Sequence, residues 1–133
     1  MPLMGTRLDE LPSDDDAPRA IRCLLQLKGQ MRPSRFGGAT RFDVSEVGAE
    51  TPIDVAALYY ITFIYTRTWA HADAVMIDGP DGVNRRATVK EAFAAFEAWS
   101  ETVDRIGIAK VRADGLHPLR GTPLHWYGRR PEP

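Results

Sequence analysis

A single cysteine, Cys23, occurs in 133 residues, which excludes an internal disulfide scaffold. Its apolar neighbours Ile21, Leu24 and Leu25 predict a buried structural thiol. Histidine is nearly as scarce, with His71, His117 and His125. No His-Glu-x-x-His and no cysteine pair is present, so the zinc patterns that a sequence can display are missing. Nucleophilic motifs are missing too. There is no Gly-x-Ser-x-Gly, and Ser13, Ser34, Ser45 and Ser100 have no base close in sequence. Gly37-Gly38 lacks the residues that would make it a phosphate loop. Long apolar runs are absent: Val55 to Tyr65 is too short to cross a bilayer and is followed by Arg67. Met1 to Asp16 has no apolar segment of the signal-peptide kind, so a cytoplasmic location without a membrane anchor is expected. With a net charge of −1, the chain has no global pull toward nucleic acid or an anionic membrane. Lysine is rare: of 17 basic residues only Lys28, Lys90 and Lys110 are lysines, a composition that suggests a GC-rich bacterial genome.

What remains is ordinary globular material, 44% hydrophobic and 26% charged, in a length that suits one domain. The expected fold is mainly α: a compact single-domain helical fold around a central apolar helix, with room for one or two short strands. Residues 1–16 read as a flexible acidic lead, 17–128 as the domain and 129–133 as a frayed tail. Asp16 can cap a first helix running to about Leu27, with Pro18 in its first turn and Gly29 as its stop. Arg41 to Ser45 alternates and predicts a short strand. Thr51-Pro52-Ile53-Asp54 starts the central helix, with Thr51 as cap and Asp54 as capping acid, and the apolar character carries it to about Ala70. Val55 to Tyr65 is apolar nearly all round, so neighbours must cover several of its faces, and a second copy of the chain is one candidate cover. His71 to Ile77 reads equally as continued helix or as a strand, and Asp78 to Asn84 is a turn cluster. Thr88 to Glu91 has the form of a capping box. It precedes a stripe of Val89, Ala92, Phe93, Phe96, Trp99, Val103 and Ile106 at spacings of three and four. Gly107 ends or kinks this helix, Ile108 to Ala113 makes another, and Gly115 with Leu116 closes it. Leu119, Leu124, Trp126 and Tyr127 predict a tail that docks on the body.

Charge is segregated. Arg19, Arg22, Lys28, Arg32, Arg35 and Arg41 span a stretch without acids, while Asp43 to Asp54 and Glu91 to Asp104 are acidic. The basic stretch, with Phe36 and Phe42 among its arginines, has the make-up of a single-stranded RNA contact, or of a face that pairs internally or meets an acidic protein. Arg, Trp and Tyr are enriched at binding hot spots. That makes Arg32, Arg35, Arg41, Arg67, Trp69, Trp126 and Tyr127 the candidate partner-binding residues. His71, Asp73 and His117 are the weak candidates for a metal site, and no cofactor is expected.

By elimination, the expected function is that of a small bacterial protein-binding module without catalysis. Its concrete version is an immunity- or antitoxin-like protein that neutralises a toxin. The alternatives are a metal-dependent hydrolase using His71 and Asp73, or an RNA-binding protein using residues 19–41.

Overall fold

The computed structural model describes residues 11–33, 51–67 and 76–126. Among these the chain is mainly helical. The elements in order are α1 (Ala17–Leu25), α2 (Ile53–Thr66), β1 (Ile77–Asp78), α3 (Arg86–Ile106), α4 (Ile108–Ala113) and β2 (His125–Trp126).

Helix α1 begins at a turn built on Ser13. The Ser13 carbonyl accepts from the N–H groups of Asp16 (3.0 Å) and Ala17 (2.8 Å), and its hydroxyl accepts from the Asp16 N–H at 3.3 Å. Asp16 takes the cap position but makes no side-chain cap bond. Ala17, Ile21, Leu24 and Leu25 form the buried face. Cys23 is exposed, which corrects the expected buried thiol. Two residues past Ile21 is about 200° around a helix, so Cys23 points away from the stripe. The helix stops at Leu25 instead of Leu27, because Gln26 and Leu27 already bond back to carbonyls only three residues behind them.

Helix α2 is capped by Pro52, whose backbone is extended, and not by Thr51. No capping box forms there. Asp54 instead accepts from the neighbouring Val55 N–H at 2.8 Å and from Arg86 at 2.9 Å. Asp54 to Ile61, Phe63 and Ile64 are all buried, with α1, α3 and α4 packed around them. Neighbours within the chain therefore cover several faces of the apolar helix, as its sequence requires. Thr62 and Thr66 fit this setting by donating their hydroxyls to the Leu58 and Thr62 carbonyls. Arg67 ends the helix in the left-handed region (φ 61°), its N–H bonding to the Phe63 carbonyl at 2.8 Å. The helix is thus shorter than the expected run to Ala70.

Helix α3 starts at Arg86, two residues before the expected cap. Thr88 lies inside the first turn, and its hydroxyl donates to the Gly82 carbonyl at 2.7 Å, fastening the preceding turn to the helix. The capping box at Thr88 is thereby overturned. The apolar stripe stands as expected: Val89, Ala92, Phe93, Phe96, Trp99 and Val103 are buried. Gly107 separates α3 from α4 with φ 88° and ψ 147°, a conformation that essentially only glycine adopts. At the end of α4, the Gly115 N–H bonds to the Arg112 carbonyl (3.1 Å) and the Leu116 N–H to the Val111 carbonyl (3.0 Å). This is the paired C-terminal cap that a left-handed glycine permits. The Leu116 carbonyl in turn accepts from Trp99 Nε1 at 2.7 Å.

Ile77 turns out to be strand. It pairs antiparallel with Trp126, and Asp78 with His125. Asn84, at φ 53°, supplies Ile77 with a further partner, exchanging Ile77 N–H to Asn84 Oδ1 (2.9 Å) and Asn84 N–H to the Ile77 carbonyl (2.8 Å). The tail docks through buried Leu119, Leu124 and Trp126. Leu11 is 6% exposed and belongs to the same core, while Ser13 to Asp16 after it are exposed. The predicted strand at 41–45, residues 68–75 and the tail at 129–133 lie outside the described residues.

Candidate functional site

The basic stretch is largely neutralised where it can be followed. Arg22 pairs with Asp104 at 2.6 Å, Lys28 with Glu97 at 3.6 Å and Arg19 with Asp16 at 3.7 Å. The acids of α3 thus face the bases of α1 and the turn after it. Each exposed pair is worth at most about 1 kcal/mol, so the consequence is less for stability than for charge. Arg22 and Lys28 are engaged by carboxylates of the same chain, which weakens the case for a phosphate-binding face.

Beyond α1 the chain turns back to the N-terminus of α2. The Gln30 carbonyl accepts from the Asp54 N–H (3.0 Å), the Arg32 carbonyl accepts from the Ile53 N–H (2.9 Å), and Pro33 bridges Pro52. Met31 lies between these anchors and is 58% exposed. Among the described residues it is the one large hydrophobic side chain left in solvent. Arg32 beside it is exposed as well. Of the other candidates, Arg35, Arg41, Trp69, Tyr127, His71 and Asp73 lie outside the described residues.

The opposite end of α2 holds a second arrangement, which the sequence reading found only in part. Arg67 donates from Nη1 to the Pro12 carbonyl at 2.6 Å. Arg112, on α4, donates from Nε to the Tyr65 carbonyl at 2.7 Å and from Nη2 to the Ile64 carbonyl at 3.4 Å. It therefore satisfies carbonyls that the helix end leaves open. The same guanidinium grips Asp14 bidentately, Nη1 at 3.2 Å from Oδ2 and Nη2 at 3.1 Å from Oδ1. Asp14 was legible only as one carboxylate of an acidic run, and nothing local in the sequence links it to Arg112.

The hydrogen bond from Arg112 lowers the Asp14 pKa below the usual carboxylate range. Partial burial opposes this, and the charges of Arg112 and Arg67 add to the lowering. A carboxylate whose folded pKa is depressed contributes stability above its unfolded value and loses it as pH falls through the folded one. The pair therefore stabilises the fold fully at neutral pH, and its contribution fades below about pH 4. Asp14 is substantially exposed, so the expected effect is small. Urea midpoints of Asp14→Asn should lie below wild type at pH 7 and converge on it at acidic pH. A gap that stays constant down to low pH would exclude this origin.

Trp126 is 6% exposed and packs edge-on against Tyr59 with ring centroids 4.8 Å apart. His117 is half-buried in the turn after α4, its backbone N–H bonded to the Gly115 carbonyl at 3.1 Å. His125 was read only as a loop residue, yet its Nε2 lies 3.5 Å from Asp78 Oδ2 across the strand pair. Among the described residues, no group of three or more His, Cys, Asp or Glu side chains could hold a metal. No described helix is long and apolar enough to cross a membrane. No protein-family model, curated protein or solved structure matches this chain.

Proposed function

We propose that the chain is a cytoplasmic protein-binding module without catalytic activity of its own, and that its concrete role is to neutralise a toxin, as an immunity or antitoxin protein does. The observation that carries this reading is the Met31-Arg32 pair. A large apolar side chain and a cation stand exposed together, on a turn whose backbone is pinned to the start of α2. Methionine and arginine are both enriched at interfaces, and a pre-anchored backbone reduces the ordering entropy of binding. Arg32 belongs to the basic stretch for which an acidic protein partner is one of the readings.

The test is a cross-linked pull-down from cells of the source organism, using wild type and Met31→Glu/Arg32→Glu. Both substitutions are at the surface, so the thermal melt should shift by less than about 0.5 kcal/mol equivalent. Wild type should recover one partner in near-equal amount, and the double variant should lose it. Co-expression of wild type, but not of the variant, should restore growth of cells that make that partner. Recovery of the same partner by both proteins would move the interface elsewhere, and a recovered partner that is harmless to cells would end the toxin reading.

A further inference from the structure

The 14 residues of α2 span about 20 Å, so the arginines at its C-terminal end are remote from Met31 and Arg32. We propose that Arg67, Arg112 and the apolar contact that buries Leu11 form a docking site for a short acidic peptide, occupied in this structure by the chain's own Leu11–Asp14 segment as a displaceable internal ligand.

Four consecutive residues supply every element of recognition. The Leu11 side chain enters the core. The Pro12 carbonyl accepts from Arg67, and the Asp14 carboxylate accepts both arms of the Arg112 fork. The receiving side is held independently of this segment. Arg67 is fixed at its root by the left-handed turn that ends α2, and Arg112 by its bonds to the Tyr65 and Ile64 carbonyls. A planar guanidinium pre-set by other bonds reads a carboxylate with more specificity than a free lysine would. The proline adds a stiff backbone with little entropy left to lose. The matching ligand is therefore a peptide with a bulky apolar residue, a rigid or extended residue after it, and an aspartate three positions on. The internal segment is joined to α1 by the Ser13 turn, so it competes as an intramolecular ligand at the effective concentration this attachment sets. A partner segment of the same chemistry displaces it once its own affinity or local concentration exceeds that.

The probe is a fluorescent peptide with the sequence of residues 9–16, Asp-Glu-Leu-Pro-Ser-Asp-Asp-Asp, titrated against the full chain by anisotropy. Asp14→Asn weakens the internal ligand and leaves Arg67 and Arg112 in place. It should bind the peptide about two- to fivefold more tightly than wild type does. Leu11→Ala/Asp14→Asn should bind it more tightly again. A scrambled peptide of equal charge should bind neither, and adding Arg112→Ala should abolish binding. If the double variant loses its helical circular dichroism, Asp14→Asn alone decides the matter. Equal affinity of wild type and Asp14→Asn, or equal binding of the scrambled peptide, would overturn the proposal. Met31→Glu/Arg32→Glu should leave peptide binding unchanged, which separates this site from the one at the other end of α2.

Discussion

Trp126→Ala should lower the unfolding free energy by about 3–5 kcal/mol, read as a shift in urea midpoint at unchanged slope. Domains of this size have about 5–15 kcal/mol in total, so the variant would be close to the edge of folding. Trp126 touches the core from the last described strand: it pairs with Ile77 and stacks edge-on against Tyr59, which is fully buried on α2. Alanine would leave a cavity lined by side chains from separate elements, which cannot all move inward together. The prediction also separates two roles for this residue. An exposed interface anchor replaced by alanine changes stability by less than about 0.5 kcal/mol. A small effect at Trp126 would return it to the surface.

Arg86→Ala and Asp54→Ala should differ in their effects, although they break the same contact. Asp54 is 0% exposed, while the Arg86 side chain is 43% exposed. Without Arg86, the Asp54 carboxylate loses its cationic partner among the described residues and keeps the Val55 N–H, at a position with no exposure. A buried charge stripped of its partner costs about 3–5 kcal/mol. Without Asp54, the guanidinium can turn into solvent, and the loss is confined to an unpaired Val55 N–H, about 1–3 kcal/mol. The two single variants and the double variant, measured by denaturation, complete the cycle. The double variant should be more stable than Arg86→Ala alone. A double variant as unstable as the sum of the singles would mean that the pair does not interact.

Much of the helical framework could be read from residue patterns, because helices signal locally. The stripe from Val89 to Val103, the glycine breaks at Gly107 and Gly115 and the apolar contact at Leu116 need only neighbours in sequence to be seen. The errors cluster where a side chain has a distant partner. Thr88 and Asp54 resemble capping residues, yet one bonds to the Gly82 carbonyl and the other to Arg86. The end of α2 was hidden because Arg67, a non-glycine residue, adopts the left-handed turn, and its contact with Pro12 lies far away in sequence. Strand β1 has two residues and owes its existence to a partner near the other end of the chain. Cys23 was legible after all: the spacing of Ala17, Ile21, Leu24 and Leu25 already places it opposite the buried face.

The candidate sites were less legible than the fold for the same reason. Arg67 was found as a basic residue near aromatics, but Arg112, Asp14 and Leu11 become related only when α4 and the N-terminal segment meet the end of α2. Met31 carries no sequence signal beyond its hydrophobicity. Its exposure shows only in the fold, where backbone anchors flank it on either side.

Those anchors set the terms on which this molecule can change over generations. Pro33 and Pro52 are bridged, and the bonds at Gln30 and Arg32 hold the same junction, so two positions well apart in sequence are tied together at the start of α2. Doubling the length of a stretch closed in this way adds only about 0.6 kcal/mol of closure entropy. A change of length between the two prolines therefore costs the junction itself little, and the turn that presents Met31 and Arg32 can be kept across it.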